Sequence, residues 1–132
     1  MLRNQVRADL ARVLASAELH AWAGNNPARL LNDSGRMVYI VLGAAEATGH
    51  TTAEPDIRII LGMGEALGDL QHDQNIERHR AAIQSGILAV GRLLPTLDAM
   101  ALAHAALQLN QMLNTPAGMG TADLHALFPT AA

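Results

Sequence analysis

Apolar side chains recur at steps of three and four from the start of the chain. Val6, Leu10, Val13, Leu14, Ala17 and Ala21 share one helical face, and Arg7, Arg12 and Glu18 fall largely elsewhere. The spacing predicts a first helix over 4–23. Gly24-Asn25-Asn26-Pro27 then reads as a stop and a restart. Gly24 suits a left-handed cap, Asn26 an N-cap and Pro27 the first helical position.

The next stretch reads two ways. Met37-Val38-Tyr39-Ile40-Val41-Leu42 and Ile57-Arg58-Ile59-Ile60-Leu61 are rich in β-branched residues and could each be a strand. Two strands make only a hairpin, which is marginal unless something covers it. The connection Gly43-Ala44-Ala45-Glu46-Ala47 is helical in character. The preferred reading is therefore two helices, 27–48 and 55 to about 71, joined by the loop 49–54, with Pro55 opening the second.

Gly64 and Gly68 stack on one face of that third helix, and Ala82 with Gly86 and Ala101 with Ala105 repeat the spacing. Small residues one turn apart let a neighbouring helix approach closely. His72-Asp73-Gln74-Asn75 reads as a turn, with Asp73 or Asn75 as N-cap, although one continuous helix is also open. Ile76, Ile83, Ile87, Val90 and Leu94 make a heptad-like seam on a fourth helix that Pro95 ends. A fifth helix, 97–113, follows with Thr96 as its cap and Asp98 in its first turn. It is apolar nearly all round, which predicts a central place in the bundle. Thr115 to Gly120 reads as a connector, and Leu124, Leu127 and Phe128 make an apolar edge on a short last helix. The expected architecture is all-α: a single-domain bundle of about five helices over 1–114, with 115–132 as connector and short docking helix.

Composition narrows the function. With 50% apolar and 16% charged residues in 132, the chain can bury a core of its own. No apolar run is long enough to span a bilayer, and residues 1–5 lack the apolar segment of a signal peptide, so a cytoplasmic, non-membrane protein is expected. The absence of cysteine removes disulfides, thiol catalysis and thiolate zinc sites. All nine basic residues are arginine, against twelve acids. Arg3, Arg7 and Arg12 could form a small basic patch, but Asp9 lies among them and three charges hold nucleic acid only weakly. Trp22, Tyr39 and Phe128 are too few for a stacking surface. A helix-turn-helix regulator is a third-ranked alternative, because the helix after Gly24 is too apolar for a recognition helix.

No nucleophile elbow, phosphate loop or dinucleotide fingerprint is present in the sequence, and Gly62-Met63-Gly64 lacks its third glycine at Leu67. Glu65, Asp69 and His72 share a helical face and are the best metal-ligand set, with Glu77 and His79 soon after. A second pair is missing, Glu46 with His50 being an imitation across a helix end, so no metal or cofactor is expected. Asp33-Ser34 has no histidine near it in sequence. His104 sits mid-helix among apolar residues and reads as a core histidine. From Leu93 onward there is no Arg or Lys, and only Asp98 and Asp123 are acidic. That third of the chain is either the most buried part of the fold or lies against another chain.

These features point to a non-catalytic interaction or assembly module rather than an enzyme. A homodimer is expected through Met100, His104 and Leu107. Leu124, Leu127 and Phe128 are expected to fill a groove on their own body or on a second subunit, or to meet a protein partner. The alternative is a helical bundle that holds a small ligand or metal, with an enzyme as one form of it.

Overall fold

A computed structural model describes the backbone of residues 2–113 and the side chains of residues 5–112. Five α-helices follow one another: α1 (Leu2–Trp22), α2 (Pro27–Ala47), α3 (Pro55–Asp73), α4 (Ile76–Leu93) and α5 (Ala99–Leu113), with a 3₁₀ turn at Leu94–Thr96. No strand occurs among the described residues, so both β-branched runs are helical. The fold is an all-α helical bundle. Leu124, Leu127 and Phe128 lie outside the described residues.

The run Met37 to Leu42 is helical because it is covered on every side. All six side chains are buried, and successive helical residues point about 100° apart, so the burial reaches right round α2. α2 packs against α1, α3, α4 and α5. Tertiary burial of this kind outweighs the β-propensity of Val38, Ile40 and Val41. The central helix is therefore α2, and the expectation for α5 is corrected. α5 packs chiefly on α2 and α1, and Met100, His104 and Leu107 on it are exposed.

Helix boundaries follow from local chemistry. Asn26 accepts from the Arg29 N–H at 3.1 Å with Pro27 behind it, and Asn75 accepts from the Arg78 N–H at 3.4 Å. Gln74 takes the left-handed conformation (φ 56°), which separates α3 from α4, and its side-chain amide donates to the Leu70 and Gln71 carbonyls. Two expected caps move. α5 begins at Ala99 with Asp98 as its cap, since the Asp98 carboxylate accepts from the Ala101 N–H at 3.0 Å. The Thr96 hydroxyl instead donates back to the Leu93 carbonyl. Gly24 is not left-handed; the described glycine with positive φ is Gly49 (91°), which follows α2. Gly24 is needed for space, because a Cβ there would stand 2.7 Å from the His20 Cα.

The end of α1 is capped from a distance. Arg80 donates to the Ala21 carbonyl at 2.6 Å and the Gly24 carbonyl at 3.2 Å, and Gln84 donates to Ala21 at 3.1 Å. Carbonyls left over at a helix C-terminus carry partial negative charge, so an arginine meets both needs. The most extensive helix pairing is α3 with α4. There Gly86 faces Met63 so closely that a Cβ would lie 2.3 Å from the Met63 Cβ. Gly64 gives Val38 its place, while Ala82 is exposed and takes no part.

Gly62 and Gly91 lie on exposed helix faces with nothing near a built Cβ. Alanine at either should raise stability by about 0.5–1 kcal/mol in chemical denaturation, through backbone entropy alone. Gly86→Ala should lower it by about 1–3 kcal/mol, because the clash is with a Cβ close to the backbone. Ser34 is fully buried and its hydroxyl has no hydrogen-bond partner among the described residues. Ser34→Ala should raise stability by about 1 kcal/mol in the same assay, since an unpaired buried hydroxyl carries its desolvation cost uncompensated.

Candidate functional site

The exposed face of α5 is built by small residues on its inner side. Ala105 lies 3.4 Å from a Cβ built at Gly43, so α5 sits close to α2, with Leu102 and Leu109 buried beside it. That contact fixes the rotation of the helix. Met100, His104 and Leu107, at steps of four and three, then face outward. Met100 is 47% and Leu107 55% exposed, far beyond what large apolar side chains in a core show. His104 is exposed as well, which corrects its reading as a core histidine. Ala99 is buried.

Between this stripe and α1 runs an open groove of about 480 Å³, with Val6 and Asp9 on one wall and Met100, His104 and Leu107 on the other. A second cavity of about 230 Å³ adjoins it and shares Val6, Asp9, Ala106 and Asn110. Leu10, Val13, Ile40 and Leu109 make its apolar lining, and Arg36 from α2 lines it too. The Arg7 guanidinium donates to the Leu97 carbonyl at 2.8 Å and ties α1 to the start of α5. Arg12 pairs with Asp9. Both described members of the supposed basic patch thus have partners inside the chain.

The other candidate residues are dispersed. Glu65, Asp69 and His72 are all exposed on α3, and no three His, Asp or Glu residues come together in a metal-holding group among the described residues. His50 turns away from Glu46 to Glu54, at 2.8 Å. Asp33 accepts from Ser16 across the α1–α2 contact. His79 is buried and its Nε2 lies 2.7 Å from the Asp73 carboxylate, across the α3–α4 turn. Sequence reading placed His79 only beside the metal-ligand set, without its Asp73 partner, and passed over Arg36. Arg36 had a signal, as the cation that directly precedes the apolar run Met37 to Leu42.

Three carboxylates at helix ends are held below their ordinary values. Glu54 is lowered by its hydrogen bond with His50 and then by the Thr51 N–H. Asp73 is lowered first by the Asn75 N–H and then by His79. Glu77 is lowered by Arg80. A depressed carboxyl contributes stability that is present above the ordinary carboxylate range and is lost as pH falls through the folded value. Thermal melts should therefore show their steepest loss of Tm below about pH 4. Asp73→Asn should make that acid limb shallower. An acid limb with the same slope in the variant would remove Asp73 from the account.

The geometry described is an uncharged helical stripe beside an apolar groove, with scattered polar pairs at the helix ends. The chain matches no protein-family model, no curated protein and no solved structure.

Proposed function

We propose that this protein is a non-catalytic helical assembly module that pairs with a second copy of itself through the outward stripe of α5. The observation that carries the reading is the exposure of Met100 and Leu107 on a helix without a single Asp, Glu, Lys or Arg between Ala99 and Leu113. A two-fold interface places each residue near its own copy around the axis. Any formal charge there meets a like charge, and α5 carries none. The uncharged remainder of its outer surface, Gln108, Asn110 and Gln111, suits the polar rim of such an interface.

A second reading shares the groove. His104 and Asp9 at its rim, above apolar walls, would also suit a small apolar ligand with one polar group. Native mass spectrometry separates the two, since self-association doubles the mass and a ligand adds a small increment.

Met100→Glu should convert the dimer to a monomer in analytical ultracentrifugation. Far-UV circular dichroism should stay helical, because an exposed substitution of this kind changes stability by only about 0.5 kcal/mol. Leu107→Glu should do the same. A wild-type chain that sediments as a monomer at high concentration would refute the proposal.

A further inference from the structure

Arg36 is half-buried, lines the inner cavity between α1, α2 and α5, and has no hydrogen-bond or ion-pair partner among the described residues. Asp9 lines the same cavity, but its carboxylate is paired with Arg12. Arg36, beside Leu10, Val13, Ile40 and Leu109, is partly stripped of water, so an anion that arrives with apolar neighbours gains most there. The part of the chain beyond α5 holds one segment of that description. After Asp98 the only Asp, Glu, Lys or Arg is Asp123, and it stands directly beside Leu124, with Leu127 and Phe128 three and four residues beyond Leu124.

We infer that the segment 121–128 docks into the α1–α5 groove of its own chain, with the Asp123 carboxylate on the Arg36 guanidinium and the Leu124, Leu127 and Phe128 edge on the apolar walls. Asp123 and Leu127 are one helical turn apart, so a helical segment lays the acid and the apolar edge on one side. The starting point fits as well. α5 runs antiparallel to α2, so Ala105 meets Gly43 while Gln108 and Met112 lie beside Tyr39. The last turn of α5 therefore ends near the Arg36 end of the groove, where Leu109 and Asn110 line the same cavity as Arg36. The seven residues Asn114 to Gly120 span at most about 24 Å when extended. The stretch of α5 from Met100 to Asn110 is about 15 Å long. Every part of the groove is within reach, and a short tether holds the segment at an effective concentration near the millimolar range. One wall of the groove is the stripe of Met100, His104 and Leu107, so a docked segment and a second copy compete for the same side chains.

The test is hydrogen exchange of the full chain. Amides of residues 122–128 should exchange at least about tenfold more slowly than free peptide rates, the level expected of marginal docking. Asp123→Arg, which leaves residues 2–113 untouched, should abolish the protection. Arg36→Asp should abolish it too, and the double variant Arg36→Asp with Asp123→Arg should restore it. Free exchange rates in the wild type, or protection that survives Asp123→Arg, would overturn the inference. Protection that falls on dilution would also overturn it, because the segment would then be crossing to a second copy. Free rates in a chain that sediments as a dimer would reject the docking and leave the assembly reading intact. A protected segment in a monomeric chain would do the reverse.

Discussion

The burial of α2 on every side is the constraint from which the rest of the bundle follows. A helix with Met37 to Leu42 all buried cannot lie on a surface; it needs partners around its full circumference. α1, α3, α4 and α5 supply them. Four helices close around one only if their axes approach tightly, so the contacts fall on small residues. Gly43 meets Ala105 on the α5 side, and Gly64 meets Val38 on the α3 side. Away from α2, Gly86 accepts Met63 where α3 and α4 press together. Of these three glycines Gly86 is required by the packing, since a Cβ there would overlap Met63, while Gly43 and Gly64 stand at ordinary contact distance from their neighbours. Gly62 and Gly91 have no such contact, and only there is the backbone cost uncompensated.

The helix ends obey a different logic, and they mark how far sequence reading carries. Pro27 with Asn26, Pro55, and Asn75 announce starts through residues next to one another in the chain, and those boundaries were legible to within a residue or two. The α1 end was not. Its cap is the guanidinium of Arg80, which reaches Ala21 across 59 residues. No local pattern announces a contact of that separation. The same holds for His79, whose partner Asp73 lies across the α3–α4 turn that was itself open to two readings.

Which helix is central was misread for a physical reason. α2 and α5 are both apolar nearly all round, and periodicity reports how much surface wants cover, not how much gets it. α2 carries Asp33, Arg36 and Glu46 and yet is the one enclosed, because Asp33 is satisfied by Ser16 and Asn32 and Glu46 sits at an exposed end. α5 carries no charge and yet lies at the edge. The step from an apolar circumference to a central place in the bundle was the one that failed for α5.

α5 is buried on one side only: Leu102, Ala105 and Leu109 are enclosed, while Met100 and Leu107 stand half in solvent. Single exposed apolar residues are ordinary on protein surfaces. Two on one stripe beside a groove, with no Asp, Glu, Lys or Arg on the same helix, form a weakly hydrated strip. Beneath it, Arg36 adds a cation without a described partner. A surface of this kind has two unmet needs, apolar cover outside and an anion inside, and they differ in chemistry and in depth. An uncharged copy of the same helix can meet the first. An acid among apolar side chains would meet the second, which is the chemistry of the docking we propose.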